Sequence, residues 1–258
     1  MTAANATRRL DPATFALGSA LLVVSAWSWL EVWRGAHAMQ GMSGMTPAAS
    51  APAVFVLEWG VMMAAMMLPS ASPAILLYGT VRRRLAAGGE KAVPAPVFAM
   101  TYLLLWTLLG IPVYAASVLA SSLGADTPRA LPYGVAAVLA IAGLYQLTPF
   151  KHRCLAACDS PLSFFMTRWR SGYVATAGLA ARHALYCVGC CWALMVVLVA
   201  AGAMGIWWVT AIALVVFLEK CVPHGRLTAR LVGITLLLLS AAVLGHPGLA
   251  AIFRARVG

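Results

Sequence analysis

The sequence predicts an all-α fold, a polytopic transmembrane helix bundle of about seven spans, and three observations carry that prediction. The 258 residues are 62% hydrophobic and only 10% charged, and a mean hydropathy of +0.88 means more apolar surface than a water-soluble domain of this size can bury. Apolar runs of about 17–25 residues recur along the chain, each long enough to cross roughly 30 Å of hydrocarbon at about 1.5 Å per residue. Basic residues collect in alternate connections, the pattern left by loops that resist translocation.

The runs fall near 14–34, 53–79, 94–120, 132–149, 174–203, 206–222 and 228–245. Arg8 and Arg9 precede the first; Arg82, Arg83, Arg84 and Lys91 follow the second; Lys151, Arg153, Arg168 and Arg170 follow the fourth; Lys220, Arg226 and Arg230 follow the sixth. Thirteen of 18 basic residues thus share one side, which the positive-inside rule makes cytoplasmic, with the N-terminus. Arg254 and Arg256 fall on the opposite side under a seven-span reading. The net charge of +11 is therefore topological: the expected partner is the lipid bilayer, and nucleic acid is excluded. The first run, with Arg8-Arg9 before it and Ala36-His37-Ala38 after it, imitates a signal peptide, but Glu31 and Arg34 sit badly in a cleavage region, so a retained anchor is expected. The domain reading is a single integral membrane domain, 1–258: first span 14–34, outer loop 35–52, core bundle 53–245 and tail 246–258. Six cysteines in such a chain are not a secreted disulfide framework.

Taken in order, the elements carry soft ligands. The outer loop contains His37, Met39, Met42 and Met45, a run of thioethers every three residues separated by glycines. Neutral, polarizable sulfur selects Cu(I) over hard, strongly hydrated cations. In the second span Met62 pairs with Met66 and Met63 with Met67 at i,i+4, and Glu58 stands one turn before Met62. A stripe of methionines also serves as plain packing, but a carboxylate within a span is costly and by default functional, and Pro69 and Pro73 free backbone carbonyls beside it. The fourth span ends in a basic cluster with Cys154 and Cys158 one turn apart; thiols beside Lys151 and Arg153 are expected to favour thiolate. In the fifth, His183, Cys187 and Cys191 are successive i,i+4 neighbours and Cys190 lies i+3 from Cys187, so soft ligands share one helix face. The sixth ends in Glu219 and Lys220, charges that either snorkel to the interface or act at the site, with Glu219 expected to orient the His183 imidazole. Both thiol sets are expected to meet from the inner side.

Residues 62–73 (MMAAMMLPSASP), 145–161 (YQLTPFKHRCLAACDSP) and 183–195 (HALYCVGCCWALM), with Glu219-Lys220, resemble the signature blocks of a bacterial family known only as predicted metal-binding integral membrane proteins, a domain of unknown function. The resemblance implies a helical inner-membrane protein with a metal site on the cysteine and histidine blocks and no assigned reaction.

The leading functional expectation is Cu(I) handling, with transport or delivery from outer thioethers to inner thiolates, along which affinity for a soft ion rises; Zn or Fe are the alternative metals. A second reading is a thiol-disulfide oxidoreductase using Cys187 and Cys190 with Cys154 and Cys158, which a reducing inner side disfavours. A third is a metallochaperone that loads a membrane oxidase, sharing the residues of the first and differing in its acceptor. A binding or transport protein is favoured over an enzyme.

Overall fold

The computed structural model describes residues 11–39, 51–88, 93–123, 127, 129–169, 172–201 and 205–250. Among them stand helices α1 (Pro12–Met39), α2 (Pro52–Ala87), α3 (Ala95–Leu108), α4 (Gly110–Ser122), α5 (Leu131–Gln146), α6 (Pro149–Asp159), α7 (Pro161–Arg168), α8 (Tyr173–Ala200), α9 (Ile206–Cys221) and α10 (Gly225–Gly245), and no strand. Proline occupies the first or second position of α2, α3, α5, α6 and α7, where its missing N–H is one the helix start could not have bonded anyway. The all-α bundle predicted from composition is the fold observed.

The described helices do not map one to one onto the expected runs. Among the described residues, five segments are long and apolar enough to cross a membrane: α1, α2, α3 with α4, α8 and α10. A sixth exists if the bent pair α5–α6 is one broken span. The run expected at 132–149 stops at Gln146, and the chain turns 64° into α6. Two residues force that break. Pro149 cannot continue the α5 ladder and biases Thr148 to extended backbone (ψ 146°), and the Thr148 hydroxyl accepts from Lys151 N at 3.3 Å, capping a new helix in another direction. The run expected at 206–222 becomes α9, whose 16 residues reach only about 24 Å at 1.5 Å each.

Helix α2 stays continuous through Pro69 and Pro73 because the carbonyls they orphan find serine donors. Ser25 on α1 donates to Ala65 O at 3.5 Å, and Ser72 donates to Pro69 O at 2.8 Å. Hydroxyl rescue of this kind is what lets proline persist in an apolar helix.

Helix α8 is the hub, packed by α3, α5, α6 and α9, while α2 bridges α1, α3 and α9. The α5–α10 pair closes on glycines: a Cβ at Gly143 would come within 2.9 Å of Gly233 O, so the backbones touch as small-residue interfaces allow. The turn from α9 to α10 is tighter still. A Cβ at Gly225 would fall onto the Glu219 carbonyl, which cannot retreat without moving the end of α9. Gly225→Ala is therefore expected to cost about 1–3 kcal/mol, read as a lower melting temperature of the purified protein in detergent; an unchanged melt would mean that this turn relaxes freely.

Candidate metal centre

The sequence places three thiols and a histidine on α8, and the helix buries all four: His183 is 3% exposed, Cys187 and Cys190 1%, Cys191 0%. Cys190 Sγ lies 3.3 Å from Cys191 Sγ and donates to Cys187 O at 3.1 Å. From α6, the half-buried Cys158 brings its thiol within interaction reach of Cys187 and Cys190. Four sulfurs from two helices thus approach one another, where the spacing predicts five. All are free thiols.

Cys154 makes no hydrogen bond to them among the described residues. Its sulfur lies over Gly189, where a Cβ would come within 2.8 Å. Gly189 is two positions from Cys187 and so roughly 200° around the helix, which puts Cys154 on another flank. The expected role of the basic cluster also changes, since the Lys151 ammonium is bonded to Glu219 at 2.6 Å.

Two residues outside the expected ligand set stand at its centre. Lys220, at the end of α9 and 7% exposed, donates from Nζ to Cys187 Sγ at 2.8 Å, and the same nitrogen is 4.0 Å from Met67 Sδ on α2. The Tyr102 hydroxyl on α3 shares a 2.9 Å hydrogen bond with Cys187 Sγ. One signal for each was present in the sequence. A lysine that ends an apolar run can turn inward as readily as snorkel, and a tyrosine in mid-span must find a partner for its hydroxyl.

His183 stands one turn from Cys187 in a box of aromatic rings, with centroids 6.0 Å from Phe98, 5.9 Å from Tyr102 and 5.7 Å from Phe164. Its Nδ1 is buried with no partner among the described residues. Glu219 does not orient it, contrary to the sequence expectation: one carboxylate oxygen takes Lys151 Nζ at 2.6 Å and the other Gln146 Nε2 at 3.1 Å. A buried carboxylate takes a full charge partner in preference to a neutral imidazole, and the 64° break brings Lys151 to it. This network fixes α5 and α6 to the end of α9 that carries Lys220.

On α2, Met62, Met63, Met66 and Met67 are all buried, none above 5% exposed. Met67 is the one with a sulfur recorded beside the Lys220 ammonium, and Met63 stands one turn before it. Glu58 departs from expectation. It is exposed, only six residues after the start of α2 and thus at the helix end, rather than buried on the methionine stripe. His37 is exposed at the end of α1, its ring 4.4 Å from that of Trp33. Met39 ends α1; Met42 and Met45 lie outside the described residues.

Among the described residues no three His, Cys, Asp or Glu side chains are already set as a metal cage. The arrangement is a cluster of sulfurs around a lysine ammonium. Sulfur is a soft donor, of the kind that favours soft cations over hard ones.

No curated protein and no solved structure matches the chain. A family model described as a copper chaperone, PpoB2, matches residues 56–243. That stretch runs from α2 to α10 and contains every sulfur, lysine and tyrosine of the cluster. The metal-related family expected from the signature blocks is thereby made specific, and the chain belongs to the copper chaperone family PpoB2.

Proposed function

We propose that this protein is a membrane-embedded Cu(I) carrier, a single integral membrane domain of the bacterial inner membrane with a cytoplasmic N-terminus, that takes the ion from thioethers on α2 and holds it on thiols of α8 and α6 for delivery. One observation carries the reading: a cation, the Lys220 ammonium, already stands 2.8 Å from Cys187 Sγ and 4.0 Å from Met67 Sδ, between a thiol and a thioether.

Charge balance supports it. Copper held by two thiolates carries one net negative charge, which an apolar interior does not tolerate alone. Lys220 supplies the matching positive charge at contact distance, and it needs to swing only from between the sulfurs to beside them. Cys187 with Cys191, Cys190 or Cys158 provides the thiolates, and His183, with its unclaimed Nδ1, stands one turn away as a further donor. The large apolar side chains left exposed on α1, α4 and α10, among them Leu22, Trp27, Leu119 and Leu238, favour a lipid surround.

Delivery rather than redox exchange is the role supported here. A thiol-disulfide relay needs Cys154 and Cys158 facing Cys187 and Cys190 as a pair, and Cys154 faces Gly189 instead. The recipient in this reading is a soft-ligand site on another protein, such as an assembling membrane oxidase or a soluble chaperone.

The direct test is retention. Reduced full-length protein loaded with Cu(I) and dialysed against a moderate chelator should keep copper, because the sulfur cluster outcompetes it; a protein that emerges empty would end the proposal. The route is tested separately. Met63→Leu with Met67→Leu keeps volume and apolarity, so stability should change by less than about 1.5 kcal/mol per site, while copper loading from the outer side slows at unchanged protein level. Unchanged loading would return the methionines to packing.

A further inference from the structure

A cavity of about 290 Å³ opens between α7 and the first turns of α8, away from the sulfur cluster, lined by Thr167, Arg168, Trp169, Leu179 and Arg182 among others. It has roughly ten times a water molecule's share of liquid volume, room for a phosphate group with its ester oxygens.

The chemistry of the wall is one-sided. Two guanidiniums face a space whose lining includes no carboxylate, and among the described residues neither Arg168 nor Arg182 is paired with one. The Trp169 indole Nε1–H is buried and has no acceptor among the described residues, while its ring stacks on Tyr78 at 5.3 Å. Arg168 is held in place from behind, over the rings of Phe164 at 5.2 Å and Tyr186 at 5.7 Å, with a 3.4 Å hydrogen bond to the Tyr186 hydroxyl. Its remaining donors are left for something else. A pocket with two guanidiniums on its wall and no carboxylate among its described lining calls for an anion with several acceptor oxygens, which is the profile of phosphate.

We propose that this cavity binds a phosphate group, held by Arg168 and Arg182. The flanks point to its source. Met166 and Val174, neighbours in sequence of the lining, are 70% and 89% exposed, and Leu162 and Leu185 are exposed beside them, so the charged cavity opens among side chains suited to acyl chains. That is the layout expected for an anionic lipid head group at a bilayer surface.

The test uses full-length protein and three probes. Native mass spectrometry after adding phosphatidylglycerol or phosphatidylcholine should show the anionic lipid retained at least about tenfold better, and Arg168→Gln with Arg182→Gln should abolish the preference. Both arginines are exposed, so the double variant should fold, which its melting temperature checks. The paired lysine variant, which keeps charge without the fork, should retain part of the preference. If inorganic phosphate at millimolar concentration stabilises the protein and the variant abolishes that effect while lipids do not discriminate, the site is confirmed with a free phosphate as its ligand. Equal retention of both lipids with no effect of phosphate, or a preference that survives in the glutamine variant, overturns the proposal.

Discussion

Glu219→Ala is expected to destabilise the protein by about 3–5 kcal/mol, the penalty for stranding a buried charge. Lys151 is 0% exposed and Glu219 1%, and the carboxylate uses both oxygens, one for Lys151 Nζ at 2.6 Å and one for Gln146 Nε2 at 3.1 Å. Removing it leaves the Lys151 ammonium deep in the bundle with no countercharge. The loss is in the stranding rather than in the pair itself, so Lys151→Met combined with Glu219→Leu should recover most of the stability, as apolar replacements of buried pairs often do. Thermal unfolding of the purified variants in detergent separates the two cases. A double variant as unstable as the single one, or a single variant within about 1 kcal/mol of the parent, would show that water reaches the pair and that it does not clamp α5–α6 to α9. Even where the double variant folds it should bind copper less well, because the clamp aims Lys220.

Cys187→Ser is expected to weaken Cu(I) binding by more than about a hundredfold, since substitutions outside the ligand shell already cost 10–100-fold. Cys187 Sγ is the sulfur on which the other groups converge: Lys220 at 2.8 Å, Tyr102 at 2.9 Å, and Cys158 and Cys190 within reach. A hydroxyl fits the same space but offers a hard oxygen that Cu(I) does not favour. Cys154→Ser, changed on the flank facing Gly189, and Cys221→Ser, whose sulfur is 4.0 Å from Ser70 O, should stay within about threefold of the parent, well under one decade of affinity. Lys220→Gln should fall between, at 10–100-fold, through loss of the balancing charge. Competition with a chromogenic Cu(I) chelator measures all four. A Cys187→Ser protein that binds like the parent would move the metal away from this cluster.

Much of this arrangement is legible in the residues, and the exceptions have physical reasons. Helix spacing puts Cys187, Cys190 and Cys191 together because i,i+3 and i,i+4 neighbours must share a face. It also selects Cys158 and Cys154 as candidates but cannot choose between them, because that depends on the angle at which α6 crosses α8, set by the bend at Thr148-Pro149. Hydropathy finds the apolar runs but does not register how each is divided into helices, such as the 16 residues of α9. Glu58 looks buried when read as part of a long apolar run, yet it sits within two turns of the helix start. Lys220 and Lys151 are the residues whose roles are least legible. In sequence Lys151 reads as an interfacial charge and Lys220 fits the interface and the site equally well; that each turns inward to an anionic or sulfur partner is governed by three-dimensional contacts rather than by neighbours along the chain.

The central claim is that copper occupies the sulfur cluster, and X-ray absorption at the copper K-edge on reduced, full-length protein loaded with one equivalent of Cu(I) tests it most directly. The account predicts an edge of Cu(I) shape and a first shell dominated by sulfur, with the sulfur contribution lowered in Cys187→Ser. A first shell of nitrogen and oxygen, or a sulfur shell indifferent to that substitution, would contradict it.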